Sequence, residues 1–425
     1  MTINTQIDSI TGTTMYSYKN GKLYIERISA QALARRFGTP LFAYSKPQII
    51  SNFKKFDRAF ASVPHLTCYA LKANSNGAIL STLAKLGAGV DITSGGELYR
   101  SLKAGFAPSK VVYAGIGKTA AEIEYALKTG ILMFNIESVE ELEAINRIAG
   151  RLKKRASVAF RINPNVDADT HHYIKTGHGG SKFGIAHQDA CGVYALAGKM
   201  PNILIAGIHC HIGSQITNVV SFAMAARRIE GIIRQLQTVG ITLPFIDLGG
   251  GLGIKYSRVD NPKTPAELAK AVLPAFKDFT GAFILEPGRY LVGNSGALIG
   301  SVTYRKKCEG KQFLITDMAM NDLIRPTLYD AYHEIVPAVN PGRQKTKVDV
   351  VGPICESGDF MGKGRLLPWV EQGELLVVQN AGAYGMAMSS QYNSRARAAE
   401  VLVDGAKARL IRHRESYEDL VRSER

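Results

Sequence analysis

Cysteine is scarce in this chain. Five are spread over 425 residues, at Cys68, Cys191, Cys210, Cys308 and Cys355. None forms a C-x-x-C pair, and an odd, dispersed set argues against a disulfide framework. A reducing, cytoplasmic setting is expected. No apolar run approaches the ~20 residues that span a bilayer, so no membrane insertion is expected. Residues Met1–Thr5 lack the basic start and apolar stretch of a secretory leader. No G-x-G-x-x-G opens the first helical pattern, which weakens a dinucleotide-binding reading. Acidic residues are outnumbered, 36 against 52 basic, for a net charge of +16. The basic residues are dispersed apart from Arg151–Arg155 and Arg305–Lys307, with no aromatic-rich basic segment, so no nucleic-acid partner is expected. A solvated basic surface that attracts a small anionic substrate fits better.

What is present is globular. Hydrophobic residues make up 46% and charged residues 21%, and the length suits two domains. Residues 1–45 read as an N-terminal β segment. Met15–Tyr18 and Leu23–Glu26 flank Asn20-Gly21, a strong hairpin signal. A short helix is expected over Ser29–Phe37 with Gly38 as its cap, then a strand at Leu41–Tyr44. From 46 to 288, β-branched strands alternate with helical patterns: Leu66–Leu71, Gly89–Thr93, Val111–Ala114, Met133–Ile136, Ser157–Ile162, Ile203–Ile212, Phe245–Leu248 and Ala282–Leu285. Eight such units in about 250 residues predict an α/β chain built on a (β/α)8 TIM barrel; a doubly wound open sheet is the alternative. Residues 289–425 change character. Strand-like runs separated by Gly, Pro and charged turns predict an all-β domain, which the N-terminal segment joins because a lone hairpin is marginal.

Active sites of such barrels lie at the C-terminal strand ends, and the unusual residues fall there. Lys72, in Tyr69-Ala70-Leu71-Lys72-Ala73-Asn74, closes an apolar first strand. Desolvation lowers a lysine pKa and leaves the nucleophilic amine that reaction with an aldehyde needs; a strand-end lysine reaching solvent is the bland alternative, and the hexapeptide alone leaves both open. Asp91 lies late in the second strand. Gly249-Gly250-Gly251 follows the seventh, and Glu286-Pro287-Gly288-Arg289 follows the eighth, where barrels commonly hold a phosphate. His209 and His211 end the sixth strand. With no carboxylate set nearby in sequence they make a poor zinc site, so no metal is expected. His211 suits stacking on a flat cofactor, and His209 reads as a packed core residue. Glu286 at a buried strand end is costly without a partner, and a protonated pyridine nitrogen would supply one. A reactive lysine, a phosphate cradle and a carboxylate for a ring nitrogen together describe pyridoxal 5′-phosphate (PLP). Cys355, in Cys355-Glu356-Ser357-Gly358-Asp359, is either a small hydrophobe or a proton donor.

These blocks, in this order, closely resemble the diaminopimelate decarboxylase family, PLP enzymes of the alanine-racemase-like barrel class. The resemblance rests on Tyr69–Asn74, Val90–Leu98, His211–Gln215, Leu248–Gly253, Glu286–Arg289 and Cys355–Asp359. Thr316-Asp317-Met318-Ala319-Met320 departs from it, where the family usually has Asp, a small residue, Gly and Met. The resemblance implies decarboxylation of meso-2,6-diaminopimelate to L-lysine. It implies Lys72 as the residue bonded to the cofactor, His211 stacked on its ring, and Ser214, Gly250, Gly251 and Gly288 at its phosphate. Glu286 is implied at the pyridine nitrogen, Arg289, Arg325 and Tyr329 on the distal carboxylate, and Glu356 on the distal amine. Tyr384 is implied to touch both molecules. Cys355 is implied as the proton donor, reaching the partner's site in an obligate homodimer. Alternatives are a decarboxylase of ornithine or arginine, whose site would not favour two distal arginines, a racemase, and a non-catalytic PLP-binding protein. The intact Cys355 and β domain argue against the last.

Overall fold

A computed structural model describes residues 13–167, 171, 174, 176, 177, 181–340 and 342–425. The N-terminal residues 1–12, including Met1–Thr5, lie outside the described residues. The chain divides into two compact units. One comprises residues 53–253 and 261–288, the other the described part of 1–52 with 254–260 and 289–425.

The first unit is a closed barrel of eight parallel strands: β1 (His65–Ala70), β2 (Gly89–Ile92), β3 (Val111–Tyr113), β4 (Met133–Ile136), β5 (Ala156–Asn163), β6 (Ile203–His209), β7 (Phe245–Asp247) and β8 (Ala282–Leu285). Each pairs with the next, β8 pairs with β1, and the β4–β5 pairing leaves no edge, which excludes the open sheet. Helices begin where the sequence caps them. Ser94 Oγ accepts from the Glu97 N–H, and Thr119 and Thr264 form reciprocal capping boxes with Glu122 and Glu267.

The period-2 alternation of a strand builds the barrel interior in layers. Cys68, Val112, Met133, Ala159, Ala206 and Ile284 form one apolar cluster. Gly89 is glycine for packing: a Cβ there would meet Cys68 Sγ at 2.6 Å. Two residues beyond Gly89, Met133, Ala159, Gly207, Phe245 and Ile284 come Asp91, Asn135, Arg161, His209, Asp247 and Glu286, all buried. An apolar floor thus carries a polar layer at the C-terminal strand ends.

The second unit is β-rich. Its main sheet runs Phe360–Pro368, Lys345–Val351, Lys311–Thr316, Gly296–Cys308, Leu41–Ser45, Ala399–Asp404 and Lys407–Arg412. The N-terminal strand Leu41–Ser45 lies inside this sheet, antiparallel to Gly296–Cys308 and parallel to Ala399–Asp404. The Asn20-Gly21 hairpin forms with φ of 51° and 73°, the left-handed values that a tight two-residue turn requires. Leu23, Ile25 and Leu33 pack with Leu41, Ile299, Val377 and Val401 in one core. Buried aliphatic surface of this kind contributes roughly 25 cal/mol per Å2.

The Met318-Ala319 departure is accommodated. Gly300 leaves room for Met318, whose Cγ a Cβ there would meet at 2.1 Å. The Met320 N–H donates to Asp359 Oδ1 at 2.7 Å, and the Ile354 N–H donates to Asp359 Oδ2 at 2.7 Å. Asp359 therefore ties this loop to the one carrying Cys355.

Candidate active site

In the barrel unit, β1 ends at Ala70, and Lys72 sits in a 3-10 turn, Leu71–Ala73, beyond the strand end expected from sequence. The turn lifts the lysine off the apolar layer. Its side chain keeps 38% exposure, while Asp91, whose Oδ2 it approaches at 3.1 Å, is fully buried. Burial and the charge of Glu286 push the Asp91 carboxyl up to about 7, against the pull of Lys72. An accessible amine beside a carboxyl that titrates near neutrality can exchange protons while it reacts.

The loops after β6, β7 and β8 interlock. The Gly250 N–H donates to His211 Nδ1 at 3.1 Å, the Glu286 N–H to Gly249 O at 2.8 Å, and the Ile216 N–H to Gly251 O at 2.9 Å. Gly249 and Gly251 adopt φ of 63° and 113°, and a Cβ on Gly250 would lie 2.1 Å from Glu286 O. A Cβ on Gly288 would press on Ala70 and Ala73, and the Ala70 N–H reaches Pro287 O at 3.3 Å. The lysine turn therefore packs against the glycine after β8. This cradle of small residues fits a phosphate held by backbone N–H groups. His211 is half-buried, and desolvation with the Arg161 charge pushes its pKa well below the usual imidazole range. A neutral, flat ring with Nδ1 as acceptor suits stacking.

Behind these lies a buried network. His209 Nε2 faces Glu286 Oε2 at 3.3 Å, and Asn135 Nδ2 donates to Glu286 Oε1 at 3.3 Å and Asp247 Oδ2 at 3.1 Å. Two buried carboxylates this close do not both ionise cheaply. Burial and the Glu286 charge push Asp247 well up. Burial also acts to raise Glu286, but His209 and then Lys72 pull it below the usual carboxylate range. Asp247 thus carries the proton and Glu286 stays an anion, ready for a cationic ring nitrogen.

His209, Asp247 and Glu286 place ligand atoms within 4.8 Å of one another, which corrects the expectation that no carboxylates lie near the histidines. β7 and β8 supply them from residues far away in sequence. The hydrogen bonds among them account for their grouping. His209, expected as a packed core residue, instead supports Glu286. Asn135, Asp247 and Arg161 were missed by sequence reasoning, although their period-2 placement after apolar inward residues was a usable signal.

In the β-rich unit, Arg289 and Arg325 are both buried. Arg289 Nη1 donates to Tyr256 Oη at 2.8 Å, and its guanidinium lies 4.8 Å from the Tyr384 ring. The Arg325 guanidinium lies 4.6 Å from the Tyr256 ring. Burial, chiefly, pushes Arg325 down to about 10, so it remains charged at neutral pH. Burial would raise the Tyr256 phenol, but the two guanidinium groups bring it below its usual value. Tyr329 ends the short helix that Arg325 opens. Cys355 and Glu356 are exposed, with the Cys355 N–H donating to Asn393 Oδ1 at 2.8 Å.

Residues 46–293 match the family model for the pyridoxal-binding domain of pyridoxal-dependent decarboxylases. The diaminopimelate decarboxylase of Aquifex aeolicus is 47% identical over 404 residues, covering 95% of this chain and 96% of that protein. The Haemophilus influenzae diaminopimelate decarboxylase is 48% identical over 407 residues, covering 95% and 98%. The crystal structure of the Helicobacter pylori diaminopimelate decarboxylase, complexed with L-lysine, superposes with a TM-score of 0.89. It is 42% identical and covers 92% of this chain and 98% of that one.

Proposed function

The chain belongs to the diaminopimelate decarboxylase family of PLP-dependent enzymes, and from that premise we propose the following assignment of its residues. The reaction is decarboxylation of meso-2,6-diaminopimelate to L-lysine and CO2, the closing step of lysine formation. The observation that carries it is the set formed by Lys72, the Gly249–Gly251 cradle and anionic Glu286 at the ends of β1, β7 and β8. An amine, an anion cradle and a buried carboxylate are the donor set that PLP requires.

PLP, when bound, supplies an electron sink for the pair left behind as CO2 departs. Lys72 would hold the cofactor through its aldehyde, with loss of water, and Asp91 would keep the amine in place. Ser214, Gly250, Gly251 and Gly288 take the phosphate, with Tyr384 and Arg289 on the cofactor's substrate side. His211 stacks on the ring. Glu286 faces the ring nitrogen, kept ionised by His209, Asn135 and protonated Asp247. Arg289, Arg325 and Tyr329 bind the distal carboxylate, and Glu356 binds the distal amine. Rejection of ornithine or arginine follows, because either would leave a buried guanidinium without its anion. Cys355 returns a proton to the carbon that lost CO2, and its thiolate is reprotonated from solvent. The exposure of Cys355 and Glu356 supports a homodimer in which this loop serves the partner's site. The odd, unpaired cysteines support a cytoplasmic setting, and no helix among the described residues is long and apolar enough to cross a membrane.

The direct test is CO2 release from meso-diaminopimelate with and without added PLP. PLP-dependent release of CO2 together with L-lysine is expected; turnover of ornithine at a comparable rate would overturn the substrate assignment.

A further inference from the structure

We propose that His333, with Tyr256, is a positioning residue that aims Arg325 at a carboxylate, and so sets the preference for ligands carrying one at the end bound by Arg325. The proposal rests on the reading of Arg325 as part of the distal-carboxylate grip.

The geometry starts from the backbone. Arg325 opens the short helix Arg325–Tyr329, which stops at Asp330 in a left-handed conformation, φ 48°. The chain folds back there, bringing His333 against the arginine eight residues earlier. Arg325 Nη1 lies 2.8 Å from His333 Nε2, and His333 Nδ1 lies 2.9 Å from Gln379 O. A carbonyl oxygen only accepts and a guanidinium only donates. Both contacts therefore demand the same ring state: Nδ1 carries the hydrogen and Nε2 is the bare acceptor. The fully buried ring is neutral, and one guanidinium N–H is committed to it.

Tyr256 fixes the remaining freedom. Its ring lies 4.6 Å from the Arg325 guanidinium and meets the His333 ring edge-on, with centroids 5.1 Å apart at 76°. Its hydroxyl accepts from Arg289, so one phenol registers the two arginines to each other. Arg325 is paired with no carboxylate among the described residues, and its buried Nε has no hydrogen-bond partner among them. A buried cation held by one neutral histidine and by Tyr256 keeps its other donors for an incoming anion. Histidine suits this place because a carboxylate there would neutralise the guanidinium and compete with the ligand.

The test uses competitive inhibition of the holoenzyme by two amines of different chemistry, the product L-lysine and the diamine cadaverine. L-lysine retains the carboxylate that the arginines grip, whereas cadaverine lacks it. His333→Phe is expected to weaken L-lysine about tenfold, equivalent to about 1.4 kcal/mol, and cadaverine by less than about twofold. His333→Gln, whose amide accepts from Arg325 and donates to Gln379 O, is expected to restore L-lysine to within about threefold of the parent. Tyr256→Phe is expected to weaken L-lysine selectively by about threefold. Equal weakening of both ligands by His333→Phe, or none, would overturn the proposal. Should His333→Phe fail to hold PLP, Tyr256→Phe decides alone, and loss of no selectivity there overturns it. Arg325→Gln separates the two claims. If it leaves the lysine-to-cadaverine ratio unchanged, the grip itself is wrong. If it abolishes the ratio while His333→Phe does not alter it, only the positioning role fails.

Discussion

At the level of single residues the chemistry turns on charge states that burial sets. Lys72→Ala removes the amine, and the expected outcome is loss of the visible absorbance of lysine-bound PLP together with activity. Retained absorbance would contradict the assignment. Cys355→Ala is expected to lower kcat by about 10^2–10^4, the usual contribution of a positioned acid, with PLP affinity nearly unchanged; steady-state kinetics beside a cofactor titration would check both. His333 adds a pH dependence of stability. Burial, then the charge of Arg325, holds its pKa well below the usual value of 6.5. A depressed histidine stabilises the fold above its unfolded pKa, and that contribution is lost as pH falls below about 6.5 toward the folded pKa. His333→Gln cannot titrate. Its melting temperature should therefore fall less than that of the parent between pH 7.5 and 5.5, as followed by calorimetry. Equal falls would mean that His333 titrates alike in the folded and unfolded chains.

Among the elements, the loop after β7 tolerates little change. Gly250→Ala drives a Cβ to 2.1 Å from Glu286 O, a backbone atom that β8 holds in place. The expected cost is about 3 kcal/mol, read as a lowered denaturant midpoint, with a larger loss in PLP affinity. A Gly250→Ala protein that bound PLP normally would show that the cradle lies elsewhere. Elements with local signals were legible in the sequence. The Asn20-Gly21 hairpin formed as expected, and Ser29 caps the helix Ala30–Phe37 that Gly38 ends. The helix Lys46–Ala59 was missed. Ser45 Oγ accepts from the Gln48 N–H at its start, and Ile49, Phe53, Phe56 and Phe60 are buried at near-helical spacing; the strand signal just before it masked that pattern. Phe360–Pro368 and Lys407–Arg412 were also missed, because these edge strands carry charged and exposed residues and offer no continuous apolar run.

For the whole molecule, the homodimer reading makes a quantitative statement. If Cys355 serves the partner's site, Lys72→Ala and Cys355→Ala subunits are each inactive alone but complement when mixed. Random exchange makes half the dimers mixed, and each mixed dimer rebuilds one of its two sites, so activity should recover to about a quarter of the parent. No recovery, with exchange verified by sedimentation of tagged subunits, would place Cys355 and Lys72 of one subunit in the same site.

The sequence by itself determined the eight-fold alternation, the β-rich remainder and the candidates Lys72, His211 and Glu286, because strand period, turn chemistry and motif spacing are local properties of a chain; the family resemblance added Arg289, Arg325 and Cys355. Only the tertiary structure decided that Asp247 and Asn135 stand behind Glu286, that His209 supports it, and that His333 meets Arg325. Those pairings depend on which strands close beside one another and where a loop turns back. The charge each buried group carries depends in turn on neighbours far away along the chain.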